Sequence, residues 1–322
     1  MFRALWVLSG KEQTNGTEVS FPTVRKSLIQ GKGRKVLESV YKEALRLVKL
    51  LMDDKEVACY GNMYVCGNAG MATAYAARKL NLPATIVLPL STPELVAQKL
   101  KDQGATVKAV GKVWDDANAE ALRLAESEGL TVIHPFNQPL VWKGHSSIVH
   151  ELKASLPSRP GLIVLSVGGG GLFCGVIEGL DEVGWGDVPV LCMETKGADC
   201  FNVALKAKNL VTLPDITSQA VCLGAKTACQ QAFEYGKRPT VISEVVTDLQ
   251  ALEAVELFLD EERVLVELAC GASLAAVYSG VVNRLQDEGR LPKPLGPLVM
   301  IVCGGGSMNM AQLQHLQAVI RK

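Results

Sequence analysis

From about residue 60 onward, short apolar runs rich in β-branched residues alternate with runs whose apolar positions recur at helical spacing. A chain with that order is constrained to build parallel sheet covered by helices on both faces. The spacing predicts strands over 84–89, 106–110, 162–167, 188–193 and 298–303, and helices over 71–80, 93–102, 113–128, 145–155, 249–259 and 272–286. Pro93, after Ser91-Thr92, starts one of these helices, and Gly104 stops it. The fold class is therefore α/β, with a smaller αβ lobe over 61–150 and a larger one over 151–322. Residues 1–60 read as a divergent N-terminal segment, with a basic turn at 31–35 and a lone amphipathic helix over 36–52.

Charge narrows the partners. The 33 basic residues balance 33 acidic ones, so no overall positive field attracts nucleic acid or an anionic membrane surface. No stretch of about eighteen apolar residues is present, and the opening MFRALWVLSG is too short for a secretory apolar core. Nine cysteines are scattered through apolar stretches with no CxxC, as expected of thiols in a reducing cytoplasm. A small molecule is the expected ligand.

The strongest local motif is LIVLSV followed by Gly168, Gly169, Gly170 and Gly171, then Leu172-Phe173 and an apolar helix. A strand that feeds a glycine run opening a helix presents unobstructed N–H groups beside the positive end of the helix dipole, which suits a phosphate. A tight turn alone does not need four successive glycines. No Gly-Lys-Ser/Thr follows, so this is not a Walker loop; a dinucleotide site is the alternative, although no acidic residue stands at the expected offset.

Five segments carry a wider resemblance: GNAGMATAYAARKLNLPATIVLP from Gly67, PLVWKGHSSIVHELK from Pro139, SVGGGGLFCGVIEGLDEVGWGDVPVLCMETKGADCF from Ser166, LVELACGASLAAVYSG from Leu265 and IVCGGG from Ile301. Over roughly 63–318 the chain resembles the serine/threonine dehydratases among the fold-type II pyridoxal phosphate enzymes, most closely their serine dehydratase-like branch. The resemblance implies a two-lobed, tryptophan synthase β-like architecture and a cytoplasmic homodimer acting on an amino acid. It implies that Gly168, Gly169, Gly170, Gly171 and Leu172 cradle the phosphate of pyridoxal 5'-phosphate, that Asn68 bonds the ring hydroxyl and that Cys303 faces the ring nitrogen. A thiol there leaves the ring a weaker electron sink, suited to elimination. Gly67 and Ala69 fall in the substrate loop. Glu194, Ala198, Cys200, Leu223 and Ala225 fall where the family holds a monovalent cation such as K+. The implied reaction is that of an L-serine/L-threonine ammonia-lyase, giving pyruvate or 2-oxobutanoate and ammonia.

The sequence departs from this family in two places. Its Ser-Gly-Ser-Phe-Lys-x-Arg-Gly segment, which supplies the Schiff-base lysine, has no counterpart here; Lys42, after Tyr41 and 26 residues before Asn68, is the candidate by spacing, although YKEALRLVKLL is a plain helical pattern. In the substrate loop, Val65-Cys66 stand where the family writes serines. The alternative reading is a catalytically impaired member that keeps the cofactor pocket. His134, His145, His150 and His315 have no readable Ser/Asp partners and read as structural, and Trp142 and Trp185 as packing residues.

Overall fold

The computed structural model describes residues 4–8, 57–60, 66–90, 92, 94–111, 114–128, 131–304, 306 and 308–322. Lys42, the basic turn, the 36–52 helix, Val65 and the Ser91 and Pro93 of the expected helix start lie outside these residues.

Two sheets organise the described chain. The first is parallel throughout, in the order β4-β3-β2-β5, with β2 at Val57–Tyr60, β3 at Ala84–Leu88, β4 at Thr106–Ala109 and β5 at Thr131–Ile133. Helices α1 (Cys66–Leu80), α2 (Glu94–Asp102) and α3 (Trp114–Glu128) connect these strands. Strand β3 is buried along its whole length, as its unbroken apolar run requires in a two-faced sheet. Gly104 closes α2 as expected, with φ +84 and its N–H on the Lys101 carbonyl at 2.8 Å.

The second sheet has the order β1-β9-β6-β7-β8. Strands β6 (Leu162–Ser166), β7 (Val190–Thr195), β8 (Val241–Val246) and β9 (Leu298–Val302) are parallel, whereas β1 (Ala4–Leu8) runs antiparallel on β9, with Ala4 opposite Val302 and Leu8 opposite Leu298. The parallel expectation thus holds for every strand pair except this edge. Around the sheet pack α4 (Pro139–Ser155), α5 (Gly171–Glu182), α6 (Cys200–Ala207), α7 (Gln230–Gly236), α8 (Asp248–Glu262), α9 (Leu268–Tyr278), α10 (Val281–Asp287) and α11 (Met310–Ile320).

The expected helix over 272–286 is corrected to two. Gly280 takes φ +69 and becomes the N-cap of α10, so α9 and α10 meet at 43°. Among the described residues no single helix is long and apolar enough to cross a membrane; α9, the most apolar, is buried against β6, β7, β9 and α8. The expected 145–155 helix begins earlier, at Pro139, whose fixed φ and missing N–H suit a first helical turn.

Helices α4 and α5 approach closely because α5 shows glycine on the contact face. A Cβ on Gly175 would stand 2.4 Å from both the His145 Cβ and the Trp142 carbonyl oxygen, and one on Gly179 would stand 2.8 Å from the Ser146 carbonyl. Two of those neighbours are backbone atoms, which cannot turn away. Gly175→Ala is expected to destabilise the fold by about 2 kcal/mol through overpacking, read as a lower urea midpoint with unchanged far-UV dichroism at pH 7.

Candidate active site

The parallel strands β6, β7 and β9 end on one edge of the large sheet, the edge where open α/β sheets bind ligands. Beyond β6, Val167 still donates to the Met193 carbonyl at 2.9 Å, and then the glycines begin. Gly170 adopts φ +95 and is the N-cap of α5, its carbonyl accepting the Cys174 N–H at 2.9 Å. Side chains have no room at 169–171 and little at 168. A Cβ would stand 3.2 Å from the Leu223 carbonyl oxygen at Gly168, 2.3 Å from the Phe136 ring at Gly169, 2.4 Å from the Ala232 Cβ at Gly170 and 2.8 Å from the Phe136 Cα at Gly171. The Gly169 carbonyl is held by the Cys229 N–H at 3.0 Å. Among the described residues none accepts a hydrogen bond from the N–H groups of 168–172. A bare backbone cradle with its carbonyls tied back and its donors unspent at a helix N-terminus fits a phosphate.

Asn68 lies in the first turn of α1, with Gly67 and Ala69 beside it, so the three N–H groups belong to the unpaired donors of a helix start. Its Nδ2 donates to Glu267 Oε2 at 2.9 Å. The same oxygen accepts from the Cys222 thiol at 2.9 Å. Glu267 is the N-cap of α9, is only 5% exposed, and its own N–H reaches the Gly304 carbonyl at 3.2 Å. Cys303 directly follows β9 and is half-buried between the two large hydrophobic clusters, while the buried Cys270 thiol donates to the Gly304 carbonyl at 3.2 Å. The structure thus gathers Asn68 and the Cys303 segment around Glu267, a residue the sequence motifs did not single out. A carboxylate set alone in the apolar run LVELACGA was the available signal.

Phe136 and His134 were also missed as site residues. His134 Nδ1 accepts the N–H groups of Phe136 at 3.3 Å and Asn137 at 3.0 Å, and the two rings meet edge to face at 4.5 Å. Two donors on Nδ1 select the neutral tautomer protonated at Nε2. The imidazole therefore fixes the loop that presses Phe136 onto Gly169.

Of the residues in the implied cation set, Cys200 Sγ lies 3.6 Å from the Gly168 carbonyl, and Leu223 and Ala225 are joined by an N–H to carbonyl bond of 2.7 Å next to Gly168. Ala198 is fully buried where the chain turns back on Thr195. Glu194, on β7, uses both oxygens on α6: Oε1 accepts the Phe201 N–H at 2.9 Å and Oε2 the Asn202 N–H at 2.7 Å. Burial pushes its carboxyl up to about 8 against the pull of those donors. Among the described residues no group of three or more His, Cys, Asp or Glu side chains could hold a metal, so a cation here would rest on carbonyls and this one carboxyl.

The family of pyridoxal-phosphate dependent enzymes matches residues 32–304. The chain belongs to that family. An L-serine dehydratase/L-threonine deaminase of Rattus norvegicus is 56% identical over 253 residues, which are 78% of this chain and 70% of that protein. A Homo sapiens protein named serine dehydratase-like is 57% identical over 251 residues, 78% of this chain and 76% of the relative. The crystal structure of a fungal L-serine ammonia-lyase from Rhizomucor miehei superimposes with a TM-score of 0.78 at 29% identity, covering 87% of this chain and 89% of that one. The architecture is that of the fold-type II pyridoxal phosphate enzymes, and pyridoxal phosphate, rather than a dinucleotide, is the cofactor that the glycine cradle fits.

The His134 geometry carries a pH dependence. Burial pushes this imidazole from 6.5 down to about 4. In the unfolded chain it takes up a proton near its ordinary value, so between pH 6.5 and 4 the unfolded state binds more protons and stability is lost as the pH is lowered, levelling below that window. The urea midpoint is expected to be lower at pH 5 than at pH 7, and His134→Gln is expected to flatten that difference while lowering the pH 7 value.

Proposed function

We propose that this chain holds pyridoxal phosphate at the β6–α5 loop and acts on L-serine and L-threonine as an ammonia-lyase, releasing pyruvate or 2-oxobutanoate and ammonia. The observation that carries the reading is the glycine cradle, closed by Phe136, Ala232 and Leu223 and open only at its N–H groups, in a chain more than half identical to serine dehydratases over most of its length.

When bound, the cofactor supplies the electron sink that makes the Cα–H bond of an amino acid acidic enough to break, so that the β-hydroxyl can leave. The protein's share is placement. N–H groups of 168–172 take the phosphate, with the dipole of α5 behind them. Asn68 meets the ring hydroxyl. Cys303 puts a thiol rather than a carboxylate at the ring nitrogen, which favours elimination over transamination. The N–H groups of Gly67 and Ala69 receive the substrate carboxylate, replacing serine hydroxyls with backbone donors. A monovalent cation such as K+, held among Glu194, Ala198, Cys200, Leu223 and Ala225, would brace the glycine loop beside Gly168. Residues 151–322 form the lobe that carries the cradle and 61–150 the lobe that carries Asn68. The working unit is a homodimer in the cytoplasm, consistent with the scattered free thiols.

A second reading rests on one specific observation: the family's lysine segment has no match, and Lys42 takes its place by spacing alone. In that reading the pocket binds the cofactor without turnover. Borohydride reduction of the cofactor-loaded protein, followed by peptide mapping, is expected to leave the pyridoxyl label on Lys42, and Lys42→Ala to lower keto-acid formation from serine by at least about a hundredfold. Cofactor binding with no labelled lysine and no keto acid from either amino acid would establish the impaired member instead.

A further inference from the structure

Glu267 joins more parts of this pocket than any other buried side chain described above. Its Oε2 accepts both Asn68 Nδ2 from α1 and the Cys222 thiol from the turn at Val221–Leu223, each at 2.9 Å. Its backbone N–H holds the Gly304 carbonyl, one residue beyond Cys303. The other end of the Asn68 amide is bounded as well: a Cβ on Gly306 would stand 3.0 Å from Asn68 Oδ1, so that oxygen lies against the Gly306 backbone. Gly306 is in turn held from the small sheet, where Lys99 Nζ of α2 donates to its carbonyl at 3.0 Å.

These contacts decide which way the Asn68 amide faces. A carboxylate can only accept, so opposite Glu267 the amide must present its nitrogen; a neutral partner would tolerate either orientation. We propose that Glu267 is a positioning residue for the cofactor ring: it locks the Asn68 carboxamide in the single orientation that meets the ring hydroxyl, and it ties that amide to the Cys303–Gly304 strand end facing the ring nitrogen. The inference rests on the cofactor reading given above and goes beyond it, because it assigns ring orientation to a residue that does not touch the ring. Burying this acid at the mouth of α9 is costly unless its acceptors are filled, and Asn68 and Cys222 fill one of its two oxygens.

Ring alignment and phosphate capture lie at different places, which makes the proposal separable from simple damage. The dissociation constant for pyridoxal phosphate is measured by tryptophan fluorescence quenching for wild type, Glu267→Gln, Glu267→Asp, Asn68→Ala and the Glu267→Gln/Asn68→Ala double variant, with inorganic phosphate as a competing ring-free probe. Glu267→Gln and Asn68→Ala are each expected to weaken cofactor binding about tenfold, as for loss of one charge-assisted hydrogen bond. The double variant is expected to lose about tenfold in total, no more than either single variant, rather than a hundredfold, since one interaction is being removed twice. Inorganic phosphate should bind all variants alike, the absorbance maximum of the bound cofactor should move in Glu267→Gln, and Glu267→Asp should recover most of the affinity. Wild-type affinity in Glu267→Gln, multiplicative losses in the double variant, or parallel loss of phosphate binding would each overturn the assignment. Failure of the wild-type protein to take up pyridoxal phosphate while it still binds inorganic phosphate would instead sink the cofactor reading, and this inference with it.

Discussion

The structure depends on one steric condition: backbone must approach backbone where β6 gives way to α5. Phe136 from the β5–α4 loop and Ala232 from α7 press on residues 169–171 at distances that admit no Cβ, and Leu223 from the short turn lies tightly against Gly168. The contacts work in both directions. They hold the loop in a shape that includes the left-handed Gly170, and the absence of side chains lets three separate segments converge there. Everything assigned to the site, from the Cys200 thiol beneath Gly168 to the His134 imidazole behind Phe136, takes its place from that convergence.

Much of this was legible in the sequence, for a reason that can be stated residue by residue. Strands such as LIVLS and LVMIV sit in the middle of a two-faced sheet and, apart from Ser166 at the end of the first, carry only apolar residues, so their pattern is plain. Gly170 and Gly104 take left-handed conformations that only glycine adopts easily, and the neighbours of Gly170 in the run mark a close backbone approach. Among the strands that escaped notice, VACY, TVI and VISEVV lack either the length or the clean run, whereas ALWVL is a clean run that no neighbouring helical pattern ties to the sheet. The break at Gly280 escaped because one glycine inside a helical pattern is usually tolerated, and only the packed structure shows it turned left-handed. Glu267 and Phe136 escaped for a deeper reason. Their significance lies in what they meet across more than a hundred residues in one case and about thirty in the other, and no local pattern encodes such meetings.

Two buried acids show how differently one residue type can be used. Glu194 spends both oxygens on the opening N–H groups of α6, so it acts as a cap placed on a neighbouring strand rather than on the helix itself. Its carboxyl is pushed up to about 8 because burial outweighs two backbone donors. Glu267 caps α9 by position yet turns its side chain away, toward an amide and a thiol from other elements. The first secures a local element, the second links the two sheets.

The antiparallel strand β1 has a consequence for how the chain is made. Among the described residues it pairs only with β9, which is the last strand in sequence and which separates β1 from β6. During synthesis the edge of β6 beside the glycine loop therefore stays bare, and β1 has no partner, until residues near 300 have left the ribosome. Such late, long-range pairing is slow and leaves sticky strand edges open to other chains. The cradle is thus among the last features to acquire its final surroundings, and crowding of nascent chains bears most heavily on the part of the molecule that binds.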